Sequence, residues 1–274
     1  MGKKVFGNTT GIMRSVSGSD KLNKSMTEDL KATNPELYSL KKNGFTRFKN
    51  SYDAALISTI REKYEKLMTS DEYSFAISGY ENQLYSRAIR DPHKNFPEIG
   101  KLITSDVVSF LSGYYKSHFK IKHIYCGKNF HVPEDIKKKH EMFSNFWHCD
   151  RTLASEVKYF VYMSDVTEKD GPFHVQPINR TKELIKMGFG NRDHYDLPLD
   201  VLEDPSHMVK MTGQCGTSFF ANATVCLHRA GDPEPNHIRN LIQFIIVPSD
   251  EPFSLDNWIG KVESQTLPLF TPQN

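Results

Sequence analysis

The chain has 274 residues with 35 basic and 33 acidic side chains, a formal net charge of +2, so there is no electrostatic case for nucleic acid or an anionic membrane as partner. Cys126, Cys149, Cys215 and Cys226 show no CxxC spacing, which argues against a zinc ribbon, a redox dithiol or a disulfide scaffold and predicts reduced thiols in the cytoplasm. Met1–Phe6 lacks the apolar stretch of a secretory signal, Phe6 stands where a myristoylation signal wants Ser or Thr, and no apolar run is long enough to span a bilayer.

Residues 1–25 are rich in Gly, Ser, Asn and Lys and read as a flexible arm, with a single domain over 26–274. Asn34, Pro35 and Gly44 carry the chemistry of an N-cap, a first helical residue and a residue just past a helix end. Phe45–Phe48 alternates like a short strand. Leu56, Ile57, Ile60, Tyr64, Leu67 and Met68 recur at helical spacing within 52–68, and a similar pattern predicts one helix across 97–117. After residue 119 the texture changes to short β-type runs, at 119–126, 145–150, 158–163, 173–177, 217–221, 224–228 and 240–247. Glu168-Lys169-Asp170-Gly171 is a turn between two of them. Residues 188–212, with two Gly and two Pro, read as a long irregular excursion, and together with 127–144 they are the expected pocket walls. Helices first and short strands afterwards predict an α+β, mostly β chain whose strands close into a jelly roll.

His148-Cys149-Asp150 is followed 80 residues later by His228. On a strand, positions i and i+2 share a face, so His148 and Asp150 are expected to point together into a barrel while Cys149 points away. Two imidazoles and one carboxylate can fill one face of an octahedral metal and leave three positions open, which suits non-haem Fe(II) in oxygen chemistry. A second triplet, His194-Tyr195-Asp196, lies in the Gly- and Pro-rich excursion only 34 residues before His228. That separation is short for the intervening strands, and the triplet ranks behind the first. His174 and His237 are expected near the site without ligating metal. Arg239 opens an apolar run from Asn240 to Val247. A desolvated cation there needs a partner, either a structural salt bridge or a bound carboxylate such as the far end of a dicarboxylate co-substrate.

These residues, in this order, resemble the phytanoyl-CoA dioxygenase family of Fe(II)/2-oxoglutarate-dependent oxygenases over about residues 36–248. The likeness rests on Leu40 to Phe45 ahead of a long amphipathic helix, on Trp147 to Asp150, on the run from Met163 to Pro177, and on Leu227 to Gly231 with Arg239 eleven residues beyond His228. It implies a double-stranded β-helix (cupin-like) with supporting N-terminal helices. By that resemblance His148, Asp150 and His228 would bind Fe(II), and Arg239 the distal carboxylate of 2-oxoglutarate. Phe160 or Tyr162 would contact the co-substrate, with O2 as the other reactant. The chain departs from the pattern at Ala230 and Leu241, near places where many members carry a Ser that helps hold that carboxylate, and at Ile178-Asn179-Arg180.

The expected activity is hydroxylation of a C–H bond in a small, polar or anionic metabolite. The alternatives are a cupin-like metal-dependent hydrolase or isomerase that does not use 2-oxoglutarate, and a non-catalytic small-molecule-binding module.

Overall fold

The computed structural model describes residues 28–49, 52–190 and 197–264; the expected arm and the His194-Tyr195-Asp196 triplet lie outside them. Helix α1 (Glu28–Thr33) leads into α2 (Pro35–Asn43). Asn34 Oδ1 accepts from the Leu37 N–H at 3.0 Å, and Gly44 ends the helix with φ 83°, a left-handed conformation. Strand β1 (Phe45–Phe48) follows, then α3 (Ala54–Met68), whose first turn is capped by the Asp53 carboxylate accepting from Ala55 N at 3.0 Å.

A hairpin of β2 (Ser74–Tyr80) and β3 (Gln83–Ile89) occupies a stretch that carries no clear alternation, because most of β2 is only half-buried. The single helix expected over 97–117 is two pieces, a 3-10 helix at Pro97–Leu102 and α4 (Ser105–Tyr115). The Thr104 hydroxyl accepts from Val107 N at 3.4 Å and starts the second piece afresh. Apart from short helical turns, the remaining elements are β4 (His118–Phe130), β5 (Val157–Tyr162), β6 (Phe173–Val175), α5 (Ile178–Lys186), β7 (Val209–Met211), β8 (Ser218–Ala221), β9 (His228–Ala230) and β10 (Ile238–Ser249).

The strands form a seven-stranded antiparallel sheet in the order β1-β8-β5-β10-β4-β3-β2 and a three-stranded sheet in the order β7-β6-β9. Two-residue alternation sorts the large sheet into two layers. Tyr159, Val161, Phe220, Ile242, Phe244 and Ile246 pack with Ile60, Tyr64, Phe110 and Leu111 of the helices. Phe160, Tyr162, Phe219 and Leu241 face the other way and pack with Phe173, Val175 and Trp147. Stacked rings knit both layers, Tyr159 on Phe220 at 4.5 Å and Phe160 on Phe219 at 4.6 Å between centroids.

Two expected strands are not formed. Residues 145–150 are not a strand; only His148 pairs, in an isolated bridge with His228. The 224–228 strand is a turn closed by Val225 N and Cys226 N donating to the Asn222 carbonyl at 3.2 and 3.1 Å, so His228 begins β9 instead of ending a strand. The segment after Pro177 is helical, with Ile178, Thr181, Leu184 and Ile185 on its buried side.

Gly44 tests the local argument. A Cβ there would overlap the Cys226 sulfur as well as demand a left-handed L-residue. Gly44→Ala is expected to cost about 2–5 kcal/mol, summing roughly 1–2 for the conformation and roughly 1–3 for overpacking, read as a shifted denaturant midpoint with an unchanged slope.

Candidate metal centre

His148 and His228 are held by each other's backbone. His148 N donates to the His228 carbonyl and His228 N to the His148 carbonyl, both at 2.9 Å, which brings the rings to 4.2 Å between centroids. Asp150 N donates to the Ala223 carbonyl at 2.9 Å and swings the carboxylate to the same point. Asp150 Oδ1 then lies 3.5 Å from His148 Nε2 and 3.7 Å from His228 Nε2. The two residues of the triplet thus converge as expected, although a loop presents them.

The tautomers are set by the backbone. His148 Nδ1 is 2.7 Å from the Phe146 carbonyl and His228 Nδ1 is 3.0 Å from the Cys226 carbonyl. A carbonyl only accepts, so each Nδ1 carries the proton and each Nε2 lone pair faces Asp150. Burial, with His148 beside it, pushes the His228 imidazolium well down, so the ring is neutral. Burial alone would raise the Asp150 carboxyl, but the Lys158 ammonium at 2.6 Å holds it well below the usual carboxylate range. Two imidazole nitrogens and one carboxylate oxygen within 4.8 Å of one another fit a divalent cation. Among the described residues this is the one such group.

Arg239 lies on β10, fully buried. Its Nη1 donates to the carbonyls of Gly171 and, at 3.3 Å, Gly231. The two glycines are required: a Cβ on Gly171 would meet backbone atoms of Gly231, Asp232 and Pro233, and one on Gly231 would meet the Pro172 carbonyl. Arg239 Nε is buried without an acceptor, and no carboxylate forms an ion pair with this guanidinium among the described residues. The structural salt bridge is therefore not what holds it.

A cavity of about 480 Å³ joins these parts, lined by His148, His228, Lys158 and Arg239 together with Phe160 and Tyr162. Both aromatic candidates face inward, since they stand two residues apart on β5. The Tyr162 hydroxyl donates to the Met211 carbonyl at 2.6 Å and accepts from Phe173 N at 3.2 Å, and burial pushes its pKa up to about 12. Asn129, Glu141, Phe143 and Ser144 supply the wall expected from 127–144. The other expected wall fails: no described residue of 188–212 lines the cavity. Its described residues belong to the small sheet's side instead: Val209–Met211 are β7, and Glu203 accepts from Trp147 Nε1 at 3.3 Å and pairs with Arg229 at 3.0 Å. His174 is buried on the face of β6 opposite Phe173, and His237 pairs with Asp170 at 2.8 Å near the surface; neither joins the triad.

Sequence reasoning missed Lys158, Tyr125 and Gln243, all on the cavity wall. Lys158 and Gln243 were findable as polar interruptions of apolar strands at inward positions. Tyr125 had a quieter signal in Gly127, a glycine inside a strand. A Cβ at Gly127 would overlap the Tyr125 ring, so the phenol lies across that glycine.

No family model and no curated relative matches the chain. Solved structures do match in fold. SnoN, a non-haem alpha-ketoglutarate-dependent epimerase from nogalamycin biosynthesis, aligns at 14% identity over 89% of this chain and 95% of that one, TM-score 0.59. EctD from S. alaskensis, with 2-oxoglutarate and 5-hydroxyectoine, aligns at 12% identity over 90% and 89%, TM-score 0.59. HygX from Streptomyces hygroscopicus, with nickel, 2-oxoglutarate and hygromycin B, aligns at 14% over 80% and 89%, TM-score 0.57. The fold is the cupin-like jelly roll of such oxygenases.

Asp150→Ala removes the one carboxylate of the triad and is expected to weaken Fe(II) or Co(II) binding by more than the roughly 10–100-fold that loss of an outer-shell partner costs. His194→Ala and His174→Ala are expected to bind as the parent does. Metal competition titrations of the three variants decide between the triplets.

Proposed function

We propose that the chain is an Fe(II)- and 2-oxoglutarate-dependent oxygenase that hydroxylates a C–H bond of a small, polar or anionic metabolite, working as one catalytic domain over 26–274 in the cytoplasm. The observation that carries it is the shared cavity, in which a metal-type triad faces a buried guanidinium that lacks any carboxylate partner among the described residues. HygX was solved with nickel and 2-oxoglutarate, and a second SnoN structure with Fe3+ and alpha-ketoglutarate, in the same fold. The resemblance to the phytanoyl-CoA dioxygenase family supports the same reading. The described residues contain no helix long and apolar enough to cross a membrane, and all four cysteines are free.

Bound iron, with 2-oxoglutarate and O2, would supply an oxidant able to break an unactivated C–H bond. The chain does the rest. His148, Asp150 and His228 would hold the metal on one face and leave the opposite positions to the reactants. Arg239, with Nη1 tied to glycine carbonyls, presents its remaining N–H groups to the distal carboxylate. Burial, partly offset by the Arg239 charge, raises the Tyr125 phenol pKa and keeps it protonated, a neutral donor. The phenol lies over Gly127, which pairs with Leu241, and Asn129 pairs with Arg239 on the same strands. The Tyr125 hydroxyl therefore takes the place of the serine that Leu241 lacks. Phe160, Phe173 and Phe219 wall the site with apolar rings, which excludes water and strengthens each charged contact. Tyr162, its hydroxyl already bonded, contributes its ring. Ser78, Glu141 and Gln243 line the rest of the cavity and suit a polar substrate.

Arg239→Ala is expected to raise the 2-oxoglutarate dissociation constant on the order of tenfold to a thousandfold, because a buried carboxylate loses its charged partner. Arg239→Lys should recover part of this, since an ammonium lacks the planar fork. Gly127→Ala, which displaces the Tyr125 ring without touching Arg239, should raise it by about twofold to tenfold, the worth of one neutral hydrogen bond. Anaerobic titration of the Fe(II) protein with 2-oxoglutarate reads all three; an unchanged curve for Arg239→Ala overturns the co-substrate.

A further inference from the structure

We infer that Lys158 is a positioning residue of the metal centre: it holds the outer oxygen of Asp150 so that the carboxylate ligates through one oxygen only. This rests on the metal reading above and goes beyond it.

The two oxygens of Asp150 have different surroundings. Oδ1 sits between the imidazoles, 3.5 and 3.7 Å from their Nε2 atoms. Oδ2 is 2.6 Å from Lys158 Nζ, and both side chains are only 15% exposed. Lys158 does not arrive there by chance of surface flexibility. It stands two residues before Phe160 on β5, paired with Ala221 of β8 and Ile245 of β10, so its stem is fixed at an inward position between small and aliphatic neighbours. The pair is also the one ion pair formed by Lys158 among the described residues, and an ammonium buried on an apolar sheet would be costly without it.

A carboxylate beside a divalent cation can bind through one oxygen or chelate through both. Chelation by Asp150 would take a position that a bidentate co-substrate and a third reactant need, because two imidazoles and one oxygen leave three positions and a second oxygen leaves two. An ammonium 2.6 Å from Oδ2 opposes chelation twice. It donates a charge-assisted hydrogen bond to that oxygen, and its charge resists being pulled toward a like-charged metal. Oδ1 remains directed at the nitrogen pair. Lys158 thereby sets the number of open positions without touching any reactant.

The probe is Co(II) added to metal-free protein, whose visible absorption follows coordination number and needs no turnover. Lys158→Met is expected to bind Co(II) with an altered visible spectrum and to hold 2-oxoglutarate about tenfold more weakly, or worse, on the Co(II) protein. Lys158→Gln and Lys158→Arg, which still donate to Oδ2, are expected to restore both toward the parent. Lys158→Thr, polar but too short to reach Oδ2, carries the same expectation as Lys158→Met and replaces it if that variant does not fold. A parent spectrum with parent 2-oxoglutarate affinity in the non-donating variants overturns the inference and leaves a structural ion pair. Failure of the parent itself to bind Co(II) overturns the metal reading instead.

Discussion

The register of β10 is the constraint on which the site depends. This strand lies between β5 and β4, and its odd-numbered residues from Arg239 to Ile245 line the cavity while Ile242, Phe244 and Ile246 pack beneath the helices. Because side chains alternate strictly, a slip of one residue would drive Arg239 and Gln243 into the apolar layer and expose the isoleucines to the cavity. Burying an unpaired guanidinium there costs far more than the pairing of any one residue contributes. Register and site chemistry are thus the same constraint seen from two faces of one sheet.

Preorganisation follows a common pattern around the cavity. Each functional group is tied at the end it does not use. The Nδ1 atoms of His148 and His228 face the carbonyls of Phe146 and Cys226, Arg239 Nη1 faces those of Gly171 and Gly231, and Asp150 Oδ2 faces Lys158. What remains free is Nε2, Nε2, Oδ1 and the other edge of the guanidinium. Backbone carbonyls are well suited to this, because they are fixed by the fold and never donate. The cost is a set of buried charges, tolerable only while each has its tether.

Glycine and tyrosine share a further dependence. Gly127 leaves room for Tyr125 to lie along its own strand, and Gly171 and Gly231 let two loops touch backbone to backbone beneath Arg239. The carbonyls of Gly171 and Gly231 accept from Arg239 Nη1, and all three glycines matter for a second reason. Each works by the absence of a side chain, which lets a neighbour reach the place where a carboxylate would bind.

Local chemistry in the sequence determined the pieces whose causes are local. Asn34, Pro35 and Gly44 bound α2 because capping needs only nearby backbone, and the apolar run from Asn240 to Val247 marks a buried strand for a similarly local reason. The spacing of His148, Asp150, His228 and Arg239 was legible because those residue types in that order are rarely needed for packing. Other features were decided only by tertiary structure. Strand β2 carries too weak a pattern to be read alone, and residues 145–150 are placed by two hydrogen bonds to a strand some 80 positions away. That the described residues of 188–212 stay off the cavity wall is a matter of long-range contacts, Glu203 with Trp147 and Arg229 and β7 with β6. Lys158 and Tyr125 gained their places at the site because long-range pairing chose which face of β5 and β4 turned inward; Gly127 and the polar break in an apolar strand mark the positions, but not the face.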